Sequence, residues 1–252
     1  HDVDLIHECV VKMAKEISDF MDITPDKQRM DSLMVAANIR NLSLLELFYT
    51  CVANLCKIMD ERGTKIPDEQ HHYIEKDDYN KCIYHKRDMD ATERTVIVMK
   101  DADILIKICD STGDFDDTSE YQLLIRLLKE RTIIDDDGSR RLRQKEEVEN
   151  PSEVLLNPSD PEATFRYKAG GKHLGYVGNV VEAVGEKSSR VIDYDYQQNT
   201  YADNQFMKDY LNEKKDFSDG SFIVADGAYS GEENSRLASE HNLKLVTTNF
   251  TG

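Results

Sequence analysis

The sequence predicts an α/β fold, in which a mixed sheet with flanking helices is interrupted by an all-helical insertion. Two observations support this prediction. Helical periodicity gives way to short β-rich runs after Pro151, Pro158 and Pro161. The run FIVA at 222–225 is apolar without interruption, as in a strand buried on both faces, and it ends at Asp226 just before a helical pattern.

A helix and a strand are expected at the start of the chain. Apolar residues recur at three- and four-residue spacings over 4–21, which predicts a helix with one apolar face. Residues 29–38 alternate as in a strand, which carries Asp31 near its start. Ser43 and Glu46 have the spacing of a capping box, so a second helix is expected to begin there.

The acidic stretch that follows carries the expected insertion. Helical patterns cover 92–110 and 119–131, and a charged, loop-like segment follows at 135–144. The expected segments are an N-terminal helix and first core strand (1–40), a helical insertion (41–156), and the remainder of the core (157–252).

The remainder of the core is expected to be rich in strands. Its predicted elements are strands at 163–170, 173–184 and 190–199, a helix at 202–215, a strand ending at Asp226, a helix at 231–242 and a strand at 243–248. Ser230 and Glu233 predict a capping box at the start of the last helix. Without the insertion, this order resembles that of a ribonuclease-H-like α/β fold.

Composition limits the classes of function. The formal net charge of −17 argues against a nonspecific nucleic-acid binder, although local basic patches can still contact DNA. No run approaches the roughly 20 apolar residues of a membrane span, and no signal peptide is recognisable. We therefore expect a cytoplasmic protein with no membrane partner.

Cysteine and histidine spacing gives no indication of a metal site. Five cysteines without a CxxC pair predict buried thiols rather than disulfides or a zinc site. His71, His72 and His85 do not have the spacing of helical ligands, and a polar loop is expected there.

Asp31 and Asp226 are the candidate catalytic and metal-binding acids, because the predicted fold brings their strands side by side. Carboxylate oxygens are the ligands that Mg²⁺ prefers, and two ions about 4 Å apart hold both the attacking and the leaving oxygens of a phosphodiester. The pair therefore suggests Mg²⁺- or Mn²⁺-dependent phosphoryl transfer on nucleic acid. The alternative for Asp226 is an ordinary turn residue, since Asp-Gly is a common turn pair.

Three motifs carry a resemblance to a known family. They are RMDSLMVAANIRNLS (29–43), NPSDPEATFRYKAGGKHLGYVGNVVEAV (157–184) and ADGAYSGEEN (225–234). On these motifs the sequence resembles the DDE insertion-sequence transposases of bacteria, in the branch with a long helical segment after the first acid. The resemblance implies that Asp31 and Asp226 are the first and second metal-binding acids. Leu33 stands where family members often have Thr.

The resemblance also implies an activity and partners. The intact protein would cut transposon ends and join the freed 3′-hydroxyl to target DNA, as a homodimer assembled on DNA. The family's third acid is a glutamate on a helix beyond the last predicted strand, and this chain does not contain it. We therefore expect the chain alone to be inactive. Asp160, in a proline-flanked turn, is a rival for the first acid, but Asp31 is preferred because it lies on a predicted strand.

A basic stretch is the candidate DNA contact. It interleaves cations and aromatic rings, which suits a DNA backbone, and consists of Arg166, Lys168, Lys172, His173 and Tyr176. The alternative is a solvated hairpin edge, where Lys and Arg discourage pairing with other strands. Two other functions stay open: a Mg²⁺-dependent nuclease of the same fold, and a non-catalytic DNA-binding or assembly domain derived from a transposase.

Overall fold

The chain divides into two units. The computed structural model describes residues 4–85, 89–168, 170–213 and 217–248. Residues 1–36 and 165–252 form one unit, called the sheet unit, and residues 37–164 form the other, called the helical unit. Among the described residues, no helix has the length and apolar character needed to cross a membrane.

Apart from a short β-hairpin in the helical unit, the elements follow the order expected from the sequence. The first two are α1 (Leu5–Met21) and β1 (Lys27–Ala36). The helical unit then contributes α2 (Leu44–Glu61), α3 (Asp78–Asn80), α4 (Ala91–Thr112), α5 (Ser119–Arg131), β2 (Thr132–Ile134) and β3 (Arg140–Leu142). The chain continues with β4 (Thr164–Lys168), β5 (Gly171–Val184), β6 (Ser189–Gln198), α6 (Asp203–Glu213), β7 (Phe222–Asp226), α7 (Glu232–Glu240) and β8 (Lys244–Thr248).

The sheet is mixed, and β1 lies inside it. β1 pairs antiparallel with β5 on one side and parallel with β7 on the other, and β8 lies parallel to β7 at one edge. β6 pairs antiparallel with β5, which also pairs with β4. The predicted α/β class with a mixed sheet and flanking helices is thereby confirmed. Because β1, β7 and β8 are parallel, their carboxyl ends point to the same edge of the sheet.

One face of the sheet packs against α6 and α7. Met30 of β1 and Ala225 of β7 lie in a single buried cluster with Phe206 of α6. The neighbours of Met30 on β1, Arg29 and Asp31, are exposed. Since successive side chains of a strand point to opposite faces, β1 presents Met30 to the helices and Asp31 to the other face.

The helical unit has a core of its own, built around α2. Phe48 of α2 is fully buried in a cluster that includes apolar residues of α4 and α5. The predicted capping box of Ser43 and Glu46 is present at the start of α2. A second capping box, which begins at Asp90, starts α4, and Gly113 ends that helix in the left-handed conformation that glycine favours.

The insertion is not all-helical, so that part of the sequence prediction is wrong. β2 and β3 form an antiparallel hairpin, and the predicted loop at 135–144 contains its turn and second strand. Gly138 takes a positive φ of 82° in that turn. Asp-Gly between two short runs is a hairpin signal that the acidic composition of this segment obscured. The boundaries also differ from the predicted ones, since residues 37–40 and 157–164 both belong to the helical unit.

The predicted capping box of Ser230 and Glu233 is also wrong. α7 begins at Glu232, with Gly231 as its N-cap and without a side-chain cap. The Ser230 hydroxyl instead donates to the Gly227 carbonyl oxygen at 2.6 Å, and Glu233 pairs with Lys208 at 2.9 Å. A single 3₁₀ turn over Gly227–Tyr229 precedes the helix, and Ser230 closes that turn rather than opening α7.

Candidate active site

Asp31 and Asp226 lie at matching positions on adjacent parallel strands. Arg29 of β1 is opposite Val224 of β7, and each acid lies two residues further along its own strand. On the other side of β1, Asp31 is opposite Val180 of β5. The pairing of β1 with β7 ends at Arg29 and Val224, so both acids lie just beyond it, at the same edge of the sheet. Carboxylates placed at one edge are suited to sharing bound ions.

The two acids also share a face of the sheet. Ala225, next to Asp226, is buried against the helices in the same cluster as Met30, next to Asp31. Both acids therefore point to the face opposite α6. Asp31 is exposed and Asp226 is half-buried, which leaves them accessible to a substrate.

Local hydrogen bonds orient one oxygen of each acid. Asp31 Oδ1 accepts from the Ser32 backbone N–H at 2.8 Å, and Asp226 Oδ1 accepts from the Ala228 N–H at 2.8 Å. The latter bond makes Asp226 the N-cap of the 3₁₀ turn that follows β7. The hydrogen bonds made by the described residues thus use Oδ1 of each carboxylate and leave Oδ2 open. This arrangement suits a hard cation with oxygen ligands.

Tyr229 lies close to both acids and was not singled out from the sequence. Its ring is fully buried, and its hydroxyl donates to Asn179 Oδ1 of β5 at 2.8 Å. Burial raises the pKa of Tyr229, and the negative charges of Asp203, Asp31 and Asp226 raise it further. The phenol therefore stays protonated and ties the turn after Asp226 to the strand that pairs with β1.

Arg166, predicted to contact DNA, is directed toward a buried acid instead. Its Nη1 atom lies 3.9 Å from Oδ1 of Asp203, whose side chain is almost completely buried at the start of α6. Neither atom has a hydrogen-bond partner within the described part of the chain. A buried carboxylate needs a nearby positive charge. Neutralisation of Asp203 therefore explains the position of the Arg166 side chain without a DNA contact.

The rest of the basic stretch lies on the hairpin of β4 and β5. Lys168 and Lys172 are exposed, and Lys172 Nζ lies 4.1 Å from the centroid of the Phe165 ring in a cation–π contact. The His173 ring nitrogen Nε2 is 3.2 Å from the Lys168 carbonyl oxygen, and Tyr176 is half-buried. Two exposed ammonium groups thus remain for contacts outside the chain.

The hairpin extends beyond the carboxyl end of β1, toward the same edge of the sheet as the acids. Ala36, the last residue of β1, is opposite Gly175 of β5. Lys172 precedes Val180, the partner of Asp31, by eight residues along β5, a span of about 26 Å. At 3.4 Å per base pair, this span corresponds to about eight steps of duplex DNA. The hairpin can therefore contact DNA backbone that is remote from the acids, rather than the reacting phosphate.

Asp160, the rival first acid, belongs to the helical unit rather than to the sheet. Its backbone takes part in a turn, in which its N–H donates to the Asn157 carbonyl oxygen and its own carbonyl oxygen accepts from Ala163. Asp31 shares the sheet with Asp226. No further His, Cys, Asp or Glu among the described residues completes a three-ligand cluster with these two acids.

Comparison with known proteins identifies no family. The chain matches no protein-family model, no curated protein and no solved structure. The resemblance to DDE transposases therefore stays a prediction from the three sequence motifs.

Proposed function

We propose that the chain is part of a DDE transposase, with a ribonuclease-H-like core interrupted after its first strand by the helical unit. The observation that carries the proposal is the placement of Asp31 and Asp226 at matching positions on adjacent parallel strands, on one face of the sheet. Two carboxylates that converge in this way are suited to metal-dependent phosphoryl transfer.

The strand arrangement supports the proposed core. A ribonuclease-H-like sheet is mixed, and here β1 has an antiparallel neighbour on one side and parallel strands on the other. The long excursion between β1 and β4 matches the family branch with a helical segment after the first acid.

Each residue near the acids has a proposed role. Asp31 and Asp226 would hold Mg²⁺ through their open Oδ2 atoms, and bound Mg²⁺ would neutralise charge on the reacting phosphodiester. The hydrogen bonds from Ser32 and Ala228 keep the carboxylates oriented before substrate arrives. Tyr229 holds the turn after Asp226 against β5. Lys168 and Lys172 would bind the DNA backbone at a distance from the cut.

Titration with Mg²⁺, followed by backbone amide NMR, tests the proposal. We expect saturable shifts at the amides of residues 31–32 and 226–228. The shifts should be lost in both Asp31→Ala and Asp226→Ala and kept in Asp160→Ala, which serves as the matched control and removes the rival acid. Loss of the shifts in Asp160→Ala but not in Asp31→Ala would assign the first acid to Asp160. Absence of saturable shifts at these amides would contradict the proposal.

A further inference from the structure

A second group of side chains with metal-binding chemistry lies in the helical unit. Nδ1 of His72, a carboxylate oxygen of Asp78 and Sγ of Cys82 all lie within 4.8 Å of one another. The polar loop predicted around His71, His72 and His85 is wrong, because the first two residues lie in a 3₁₀ turn and His85 in a π-helical turn. The prediction of buried thiols is also wrong in part, because Cys82 is half-buried and Cys9 is exposed.

Local backbone geometry brings the three side chains together. His72 lies in a 3₁₀ turn, Asp78 begins α3, and Cys82 lies in the single π-helical turn Lys81–His85. Asp77, between them, adopts a left-handed conformation with φ of 68°. π-Turns in proteins are rare and are found frequently at functional sites. The spacing of these residues matches no familiar zinc motif, so a metal site here was not predictable from the sequence.

The separations of Asp78 from His72 and from Cys82 are close to those around a tetrahedral ion. His72 Nδ1 is 2.9 Å from Asp78 Oδ2, and Cys82 Sγ is 3.4 Å from the same oxygen. Zinc bonds of about 2.0 Å to nitrogen or oxygen and 2.3 Å to sulfur place neighbouring ligand atoms roughly 3.3–3.6 Å apart. The imidazole and carboxylate need to separate by a few tenths of an ångström, and the imidazole and sulfur already lie within 4.8 Å of each other.

The surroundings of Asp78 orient it for this role. The buried Tyr49 hydroxyl donates to Asp78 Oδ2 at 2.6 Å, as outer hydrogen bonds do for metal-ligating carboxylates. Burial opposes ionisation of Asp78, but hydrogen bonds from Tyr49 and His72 outweigh it and hold the pKa of this carboxyl below its ordinary value. The half-buried His72 leaves one side of the cluster open to solvent.

We propose that His72, Asp78 and Cys82 bind one Zn²⁺ ion, with a fourth position open to water or another ligand. Imidazole and thiolate favour zinc over Mg²⁺, which prefers oxygen ligands. The thiolate and carboxylate together balance the double positive charge. On binding, the proton of the Cys82 thiol passes to solvent as the sulfur–zinc bond forms. The site is independent of the proposed transposase function, because it uses none of the residues assigned there.

Titration of the EDTA-stripped full chain with Zn²⁺ and with Co²⁺ tests the site. We expect one equivalent of Zn²⁺ to bind, and Co²⁺ to give the near-ultraviolet thiolate-to-cobalt charge-transfer band, which reports on sulfur ligation. His72→Gln and Cys82→Ser should each weaken Zn²⁺ binding by more than about tenfold. Cys82→Ser should also abolish the charge-transfer band.

Two matched controls make the result specific. His71→Gln changes the exposed neighbour of His72, and Cys9→Ser changes the exposed thiol, so both should leave Zn²⁺ affinity unchanged. Circular dichroism of each variant establishes that the helical unit is folded. Any one of three results rules out the site. The wild-type chain does not bind one equivalent of Zn²⁺, or the folded His72 and Cys82 variants keep the wild-type affinity for Zn²⁺, or the control variants lose as much affinity as these two. Asp31→Ala and Asp226→Ala should retain the zinc, which keeps this test separate from that of the proposed function.

Discussion

The Tyr229 hydroxyl donates a hydrogen bond to Asn179 Oδ1 at 2.8 Å, and both residues are buried. The bond joins the turn after Asp226 to β5, the strand that pairs with β1. Asp226 is therefore positioned both by its own strand and by a fixed turn beyond it.

Tyr229→Phe should destabilise the sheet unit, because it leaves the buried Asn179 carbonyl without this donor. We expect a loss of about 1–3 kcal/mol in the free energy of unfolding, measured by urea denaturation. Tyr196→Phe is the matched control, since Tyr196 is 58% exposed, and it should change stability by less than about 0.5 kcal/mol. Equal effects of the two substitutions would show that the hydrogen bond contributes little.

Repulsion between Asp31 and Asp226 should be measurable without substrate. In EDTA and low salt, Asp31→Asn and Asp226→Asn should each raise the free energy of unfolding by about 0.2–1 kcal/mol, because each removes one of two negative charges at the same edge of the sheet. Asparagine keeps the oxygen that accepts the local hydrogen bond. Urea denaturation of the double variant should give a gain smaller than the sum of the two single gains.

The same experiment contains its own controls. Raising the salt concentration to about 1 M should shrink the gains, since it screens exposed charges. Asp219 lies in an exposed turn of the same unit. The effect of Asp219→Asn on the free energy of unfolding should therefore add to that of either substitution. If the gains in the free energy of unfolding from Asp31→Asn and Asp226→Asn are additive, the two carboxylates do not repel each other measurably.

Lys168 and Lys172 should control the salt dependence of DNA binding. Lys168→Gln and Lys172→Gln should each reduce the slope of log affinity against log salt by about one, as expected for a lost phosphate contact. Fluorescence anisotropy of a labelled duplex measures this slope. Lys187→Gln is the control, because Lys187 is exposed in the turn at the opposite end of β5. If Lys187→Gln reduces the slope as much as the other two substitutions, the chain attracts DNA through its overall charge rather than through Lys168 and Lys172.

Arg166 is expected to behave differently from these lysines. Its partner Asp203 is buried, so Arg166→Gln should lower the free energy of unfolding. The slope of log DNA affinity against log salt should stay nearly unchanged. Paired measurements of urea denaturation and anisotropy on this variant separate the two roles.

Two serines with the same sequence motif should differ in their effects on stability. Ser43→Ala removes a true capping interaction at the start of α2 and should cost about 1 kcal/mol. Ser230→Ala should cost less, because α7 begins with Gly231 and without a side-chain cap. Urea denaturation compares them, and the reverse order would contradict the assignment of the helix starts.

The serine pair illustrates how much of the fold was predictable. Apolar periodicity predicted α1, α4 and α5, because apolar residues at helical spacing favour a helix with one apolar face. In α4 and α5 that face is buried, whereas in α1 Ala14 is buried and Phe20 is 91% exposed. Ser-x-x-Glu does not by itself establish a helix start, since the first serine can close a preceding turn, as Ser230 does. The hairpin of β2 and β3 was missed because its strands are only three residues long.

The candidate site was predictable only in part. Asp226 was identifiable because it ends an apolar run, and Asp31 because the order of elements places its strand next to that run. Strand register places the two acids at matching positions, and no local pattern encodes register between strands so far apart in sequence. The pairing of Arg166 with Asp203 was equally inaccessible, since it depends on contacts between β4 and α6.

The interruption after β1 has a consequence for the order of folding. On the ribosome, β1 emerges first, but its partners β5 and β7 emerge only after the whole helical unit has been made. The helical unit is continuous in sequence and has its own buried cluster, so it can fold while β1 is still unpaired. Pairing across such a long sequence separation is slow, and until it occurs the backbone N–H and C=O groups of β1 have no partners in the sheet. The order of synthesis thus leaves β1 without its sheet partners until the rest of the sheet unit has been made.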